Sequence, residues 1–194
     1  MKNLRVFRYN NTILPKLQSF EEVNSSSPEG IIQSSLSASS MKWYNYNIEV
    51  KRKGSTQDFE YIRKISPKKF YDELLYKISF ETNGFEYAII KYYFHNNNKI
   101  MSYSEVMKKI GSRWFIVSEP NFFELTFFMM MVDVNYIDNI FKGVITNNKK
   151  LNNIISKNKM DVLDLNGILF DLAEGFSNGD KDLEKILDTK RIFK

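Results

Sequence analysis

His95 is the only histidine in this 194-residue chain, and imidazole is the side chain best suited to exchange protons near neutral pH. A general base also needs a partner that orients it, and no Asp or Glu lies close to His95 in sequence. The plainer expectation is a histidine on a surface turn at the end of a strand. Among the carboxylates, Asp58, Glu60 and Glu86 are the candidates for acid–base work. Strand alternation places Glu86 on one face with Ala88, Ile90, Tyr92 and Phe94. A carboxylate on an apolar face is a candidate proton-transfer group; the alternative is a residue at the exposed start of the strand, beside Gly84. Tyr87, Tyr92 and Tyr103 could hydrogen-bond a ligand, or could serve as sheet packing. The ligand-pocket candidates are therefore Glu86, Tyr92, Tyr103, Asp58 and His95. No residue is assigned a catalytic role.

Several chemistries have no residues to carry them. There is no cysteine, so disulfides, thiolate metal sites and a cysteine nucleophile are excluded. With one histidine, a zinc site would need several carboxylates, and no metal is expected. The segment Asp164-Leu165-Asn166-Gly167 hints at a calcium loop but fails on ligand spacing and on its twelfth position. There is no Gly-x-Gly-x-x-Gly, P-loop or Gly-x-Ser-x-Gly. No cofactor is expected.

The formal net charge is +5. The excess lies in residues 1–70, with 12 Lys/Arg against 6 Asp/Glu. A basic patch attracts phosphate or an acidic partner. Nucleic-acid binders carry a denser basic stripe, so solvated surface lysines are the expectation and nucleic acid is an unlikely partner. No apolar run approaches the length of a membrane span. The basic Met1–Arg8 is not followed by an apolar stretch, so no signal peptide is read and a cytoplasmic location is expected.

The elements that must position these residues read as α+β. Residues 1–26 look irregular. Ser27-Pro28-Glu29 is a helix start, with a capping serine, a proline suited to the first turn and an acid at the positive end of the dipole. This helix, rich in small residues (Ser34, Ser35, Ser37, Ala38), is expected to reach about Tyr46. Residues 48–65 read as short extended pieces. Ser66-Pro67 repeats the helix start, with Phe70, Leu74 and Leu75 as the apolar face of a helix over 67–75. Asn83-Gly84 is the strongest short hairpin signal, because both residues accept positive φ. An antiparallel meander then covers 85–118, with turns at Asn96-Asn97-Asn98 and Gly111-Ser112. Both of its faces carry large apolar residues, so both should be covered. Short helices fill the remainder, with Asp133, Asp164 and Asp180 at or near their starts.

The segment Phe122–Val132 has nine apolar residues of eleven, spread all round a helix. A helix of that kind is buried on every side or meets a partner, where Phe and Met are favoured. Phe122, Phe123, Phe127, Phe128, Met129, Met130 and Met131 are the interface candidates.

Residues 28–118 resemble the nuclear transport factor 2-like fold, a cone-shaped α+β family. A first helix from Ser27-Pro28-Glu29 to near Trp43-Tyr44, a short helix, and three long strands ending in Gly111-Ser112-Arg113-Trp114-Phe115-Ile116-Val117-Ser118 carry the resemblance. It implies a curved sheet closing over a helix, in a family that includes ketosteroid isomerases, scytalone dehydratases and non-catalytic modules. The chain departs from the family in its helical residues 120–194, and no family catalytic constellation maps onto it.

The expected architecture is an irregular arm over 1–26, a cone-like α+β domain over 27–119, and a helical extension over 120–194 packed on it. The expected function is a non-enzymatic protein–protein interaction or assembly module, acting with a protein partner or by self-association. The Asn-, Lys- and Ile-rich composition fits an AT-rich bacterial or phage genome. The alternative is a small-molecule binder, or an isomerase/dehydratase-like protein, with a pocket inside the cone.

Overall fold

The computed structural model describes residues 2–49, 59–60, 70–96, 99–142, 146–158 and 164–188. The chain divides after Pro120 into two compact units.

The first unit is built on a curved antiparallel sheet of five strands in sequence order: β1 (Lys2–Pro15), β2 (Phe70–Thr82), β3 (Phe85–Asn96), β4 (Lys99–Ile110) and β5 (Arg113–Ile116). The meander expected over 85–118 is present as β3, β4 and β5. Asn83 and Gly84 hold φ of 51° and 77° in the β2–β3 turn, and Gly111 holds 62° in the β4–β5 turn. These left-handed values fit Asn and Gly at little steric cost and match the twist of the flanking strands.

Residues 2–15 are strand, not irregular arm. Asn3 and Asn11 take φ of 53° and 52°, and the register with β2 slips next to each. They are bulge residues inside a strand rather than signs of its absence.

The expected helix over 67–75 is also corrected, since β2 begins at Phe70. An apolar pair four residues apart fits a strand face as well as a helix face, and the polar Asp72 between them hides the alternation. Ser66 and Pro67 lie outside the described residues.

One face of the sheet carries α1 (Pro28–Ser37) and α2 (Met41–Tyr46). The single helix expected to Tyr46 is split at Ala38, whose ψ of 122° leaves the helical region. Ser40 then restarts the chain by accepting from Trp43 N at 3.2 Å. Serine side chains compete in this way with helix continuation. Ser27 caps α1 through Gly30 N at 3.1 Å. A Cβ on Gly30 would stand 2.0 Å from Asn24 O, so glycine is required there. The core on this face joins Ile31, Ile32 and Leu36 to Trp43, Leu74, Ala88, Ile90, Tyr92, Phe94, Met107 and Trp114. On the opposite face Ile78, Phe80, Ile89 and Tyr93 are also buried.

The second unit is helical: α3 (Phe123–Met131), α4 (Val134–Lys142), α5 (Lys149–Lys157), α6 (Leu165–Ser177) and α7 (Lys181–Glu184). Asp164 caps α6 through Gly167 N, and Asp180 caps α7 through Asp182 N and Leu183 N. Phe128, Met129, Ile137, Ile140, Leu151, Ile168 and Leu172 are among its buried side chains. Among the described residues no helix is long and apolar enough to cross a membrane.

Candidate functional site

The two edges of the sheet differ. At β5 the outer edge is occupied: Trp114 N donates to Ser25 O, Ile116 N to Asn47 O, and Glu49 N to Ile116 O. At the other end, β1 pairs with β2 alone, and no described strand lies beyond it. Every residue from Lys2 to Arg8 is exposed on both strand faces. Leu4, Val6, Phe7 and Ile13 stand open to solvent, Phe7 at 54%. A long edge of unpaired backbone groups with exposed apolar side chains is a template for another strand.

The edge is anchored from below. Glu29, on the first turn of α1, accepts from Lys77 Nζ at 2.6 Å and from the Tyr9 hydroxyl. Burial works to raise the Glu29 carboxyl, but the hydrogen bonds from Lys77 and Tyr9 outweigh it and hold the group below its usual range. The Tyr9 hydroxyl is pushed up, by burial first and then by the Glu29 carboxylate. Lys77 Nζ also lies 5.6 Å from the centre of the Phe7 ring.

The sheet interior holds a second chemical feature. Asp72 is fully buried, and neither of its carboxylate oxygens has a hydrogen-bond partner. It sits on β2 opposite Phe94 of β3 and Leu14 of β1. Burial pushes its carboxyl well above the usual range. Tyr92 and Tyr103 face each other across β3 and β4 and stack with ring centres 5.8 Å apart. Tyr92 is raised by burial, with the charges of Glu105 and Asp72 adding to it. Beside Tyr92 is a cavity of about 50 Å³, bordered also by Ser35, Tyr44, Glu105 and Ile116. That is room for one or two water molecules, not for a drug-sized ligand.

Of the sequence-based pocket candidates among the described residues, only Tyr92 and Tyr103 meet. Glu86 lies at the end of the sheet, 2.9 Å from Lys109 Nζ with a half-exposed side chain. Its alternation with Ala88 and Ile90 holds, but it points to the rim. His95 is on the opposite face from Tyr92. It is not a bare turn residue: Glu73 Oε2, from the neighbouring strand, lies 2.8 Å from its Nε2, and Tyr71 stacks on its ring at 4.3 Å. Asp58 lies outside the described residues. Asp72 and Glu105 escape sequence reading. Asp72 sits in a stretch with helical spacing, and Glu105 in a strand with several other polar residues.

The interface candidates separate cleanly. Phe128 and Met129 are fully buried, and Phe122, Met130 and Met131 are half-buried. Phe123 and Phe127 are exposed, Phe123 at 68%, and stack in parallel 6.0 Å apart. The helix is therefore not buried all round.

The helical unit also carries an open groove beside the start of α5, bordered by Tyr136, Asn148, Lys150 and Lys185. Two of its three lysines are engaged: Lys150 pairs with Asp180, and Lys185 lies 3.5 Å from Asp182. Asn148 satisfies the first amides of α5. Among the described residues no group of three or more His, Asp or Glu side chains is placed to hold a metal.

No known family's sequence profile matches this chain, and no curated protein or solved structure matches it either.

Proposed function

We propose that this protein is a non-enzymatic interaction module that holds a protein partner at the free edge of its sheet, as a component of a bacterial or phage assembly. One observation carries the reading: β1 is a strand of 14 residues with no neighbour on its outer side among the described residues and with apolar side chains exposed along it. Strand addition to such an edge gains backbone hydrogen bonds for affinity and alternate side chains for specificity. The exposed Phe123–Phe127 pair offers the helical unit a smaller apolar ridge of its own.

The test is site-specific photo-crosslinking in cells of the source organism. A photoreactive amino acid at Phe7 should give a discrete adduct with another protein. The same group at Lys181, on the exposed surface of α7, should not. No adduct at Phe7, or equal adducts at both positions, would sink the reading.

A second reading, a small-molecule or isomerase-like site inside the sheet, is favoured by Asp72 alone. A buried carboxylate with no partner is costly and is retained where it has work to do. The resemblance to the nuclear transport factor 2-like family belongs with this reading. The small cavity weighs against it, because a ligand would need side chains to move first. Crystals soaked with small carbonyl compounds that leave the interior unchanged would count against this reading.

A further inference from the structure

We infer that the partner held at β1 is a second copy of this chain, paired antiparallel about a two-fold axis at Phe7, an inference that rests on the reading of β1 as the docking edge. The edge is bounded on both sides. Asn3 and Asn11 hold left-handed φ of 53° and 52°, and the register with β2 slips beside each. Residues 4–10 run between them, strand throughout and without a left-handed residue. Phe7 is the middle residue of this frame, equally far from both asparagines.

A two-fold pair uses one patch twice, so that residue i meets j and j meets i. Residues directly opposite each other share a sheet face, which places the axis at a residue and not between two. An axis at Arg5 or Arg8 sets a guanidinium directly opposite its own copy, and like charges so placed destabilise a ladder. An axis at Val6 runs Tyr9 into the bulge at Asn3. An axis at Phe7 avoids both faults and pairs the whole frame. Phe7 then meets the partner's Phe7, Val6 the partner's Arg8, Arg5 the partner's Tyr9, and Leu4 the partner's Asn10. Aromatic pairs across a ladder stabilise it, and an arginine over a tyrosine ring is favourable. Tyr9 already packs edge-on against Phe7 within the chain, with ring centres 4.9 Å apart. The Phe7 and Tyr9 rings of both copies therefore gather about the axis. A foreign strand has no cause to match the bulges at both ends of the frame. A second copy carries them at the same spacing.

Charge does not bar this pairing. Lys2 lies opposite Glu81 of β2, and Arg8 has a partner inside its own chain. The two Arg5 residues fall four residues apart along the paired strands, about 13 Å at the rise of a strand. That exceeds the distance over which physiological salt leaves exposed charges unscreened. The two Arg8 residues are diagonal neighbours, and this cost, with the short frame, keeps the dimer reversible.

The test uses the full chain. Sedimentation should show a dimer that grows with protein concentration up to the near-millimolar range. F7E and F7K each set like charges across the axis, and each alone should be a monomer. Mixed together, the two variants should dimerise again. Phe7 is exposed, so F7E should melt close to the parent. The chain has no cysteine, so single cysteines report the register by a second route. With oxidised glutathione, F7C should link to itself. V6C and R8C should link to each other at least about tenfold faster than either links to itself, because positions two residues out of register exceed the span of a disulfide.

A chain that stays monomeric at every concentration would overturn the inference. So would a dimer that survives F7E, or V6C linking to itself as fast as F7C does. A monomer that still gives a photo-adduct at Phe7 with a different protein would overturn it and leave the interaction module standing. A monomer with no adduct at Phe7 would remove both.

Discussion

Lys77 Nζ stands 2.6 Å from Glu29 Oε1, and this contact ties the second strand to the first turn of α1. Tyr9 of β1 donates to the same carboxylate oxygen. A single acid thus joins an edge strand, its neighbour and the helix above them. Glu29 has a folded-state pKa below its unfolded value, so it releases its proton more readily in the folded protein. Its contribution is fully present above the unfolded value of about 4.3, and it is lost as pH falls through the folded value. The variant E29Q should lower stability by about 1–3 kcal/mol at pH 7, and should lose part of the fall in stability between pH 5 and 3. Urea melts across that range check both. Amide exchange at residues 5–9 should quicken in the variant, because β1 loses its anchor.

Asp72 predicts the opposite slope. Its folded-state pKa is raised, so below the unfolded value of about 3.9 both states are protonated and the group costs little. As pH rises above that value the unfolded chain releases its proton while the folded one keeps it, and stability falls until the folded value is reached. D72N removes this titration. The variant should be more stable than the parent at pH 7–8 and equal to it near pH 3, and melting temperatures measured across pH decide the matter. A parent that gains stability between pH 4 and 7 relative to D72N would show that Asp72 is paired in solution.

The antiparallel meander was legible because its signals are local. Asn83-Gly84 and Gly111 fix turns by backbone conformation, and the strands between them are rich in the aromatic and β-branched side chains that a sheet favours. The N-terminal strand was not: asparagine favours turns over strands, and only pairing with β2 shows Asn3 and Asn11 to be left-handed bulge positions within a strand. The start of β2 failed for a related reason: Asp72 breaks the apolar alternation. That break also marks the most unusual group of the interior. Glu86 could be placed on the right face from alternation, but its distance from the interior could not, because alternation gives the face and not the depth. The His95–Glu73 pair depends on register between strands 22 residues apart in sequence, which no local spacing encodes.

The helix over 123–131 predicts a sharp contrast between neighbouring phenylalanines. Phe128 is fully buried and packs edge-on against Phe141 at 5.3 Å. F128A should cost about 3–5 kcal/mol through lost burial and the cavity left behind. F123A and F127A remove exposed rings that stack mainly on each other. Each should change stability by no more than about 1 kcal/mol. Their effect should appear instead in reduced binding of a hydrophobic dye. Denaturant melts of the three variants, with dye titrations, test this. A large loss of stability in F123A would mean that its ring is covered in solution.

Ser34 tests why α1 carries so many small residues. It is fully buried, and its Oγ accepts from Trp43 Nε1 at 2.8 Å, across the break between α1 and α2. Two roles are open to it: a small side chain that lets α2 approach, or an acceptor for an indole that has left water. S34A keeps the size and removes the acceptor, so it isolates the second role. An indole N–H left buried and unpaired costs about 1–3 kcal/mol, and S34A should lose that much despite alanine's better helix propensity. S34V adds bulk as well and should lose more, since overpacking a filled site costs a further 1–3 kcal/mol or about that. Trp43 reports on the outcome directly, because loss of its hydrogen bond should shift indole fluorescence to shorter wavelength in S34A while a W43F background removes the shift. If S34A is neutral and S34V is not, size alone fixes this position, and the corner between α1 and α2 is held by packing rather than by the hydrogen bond.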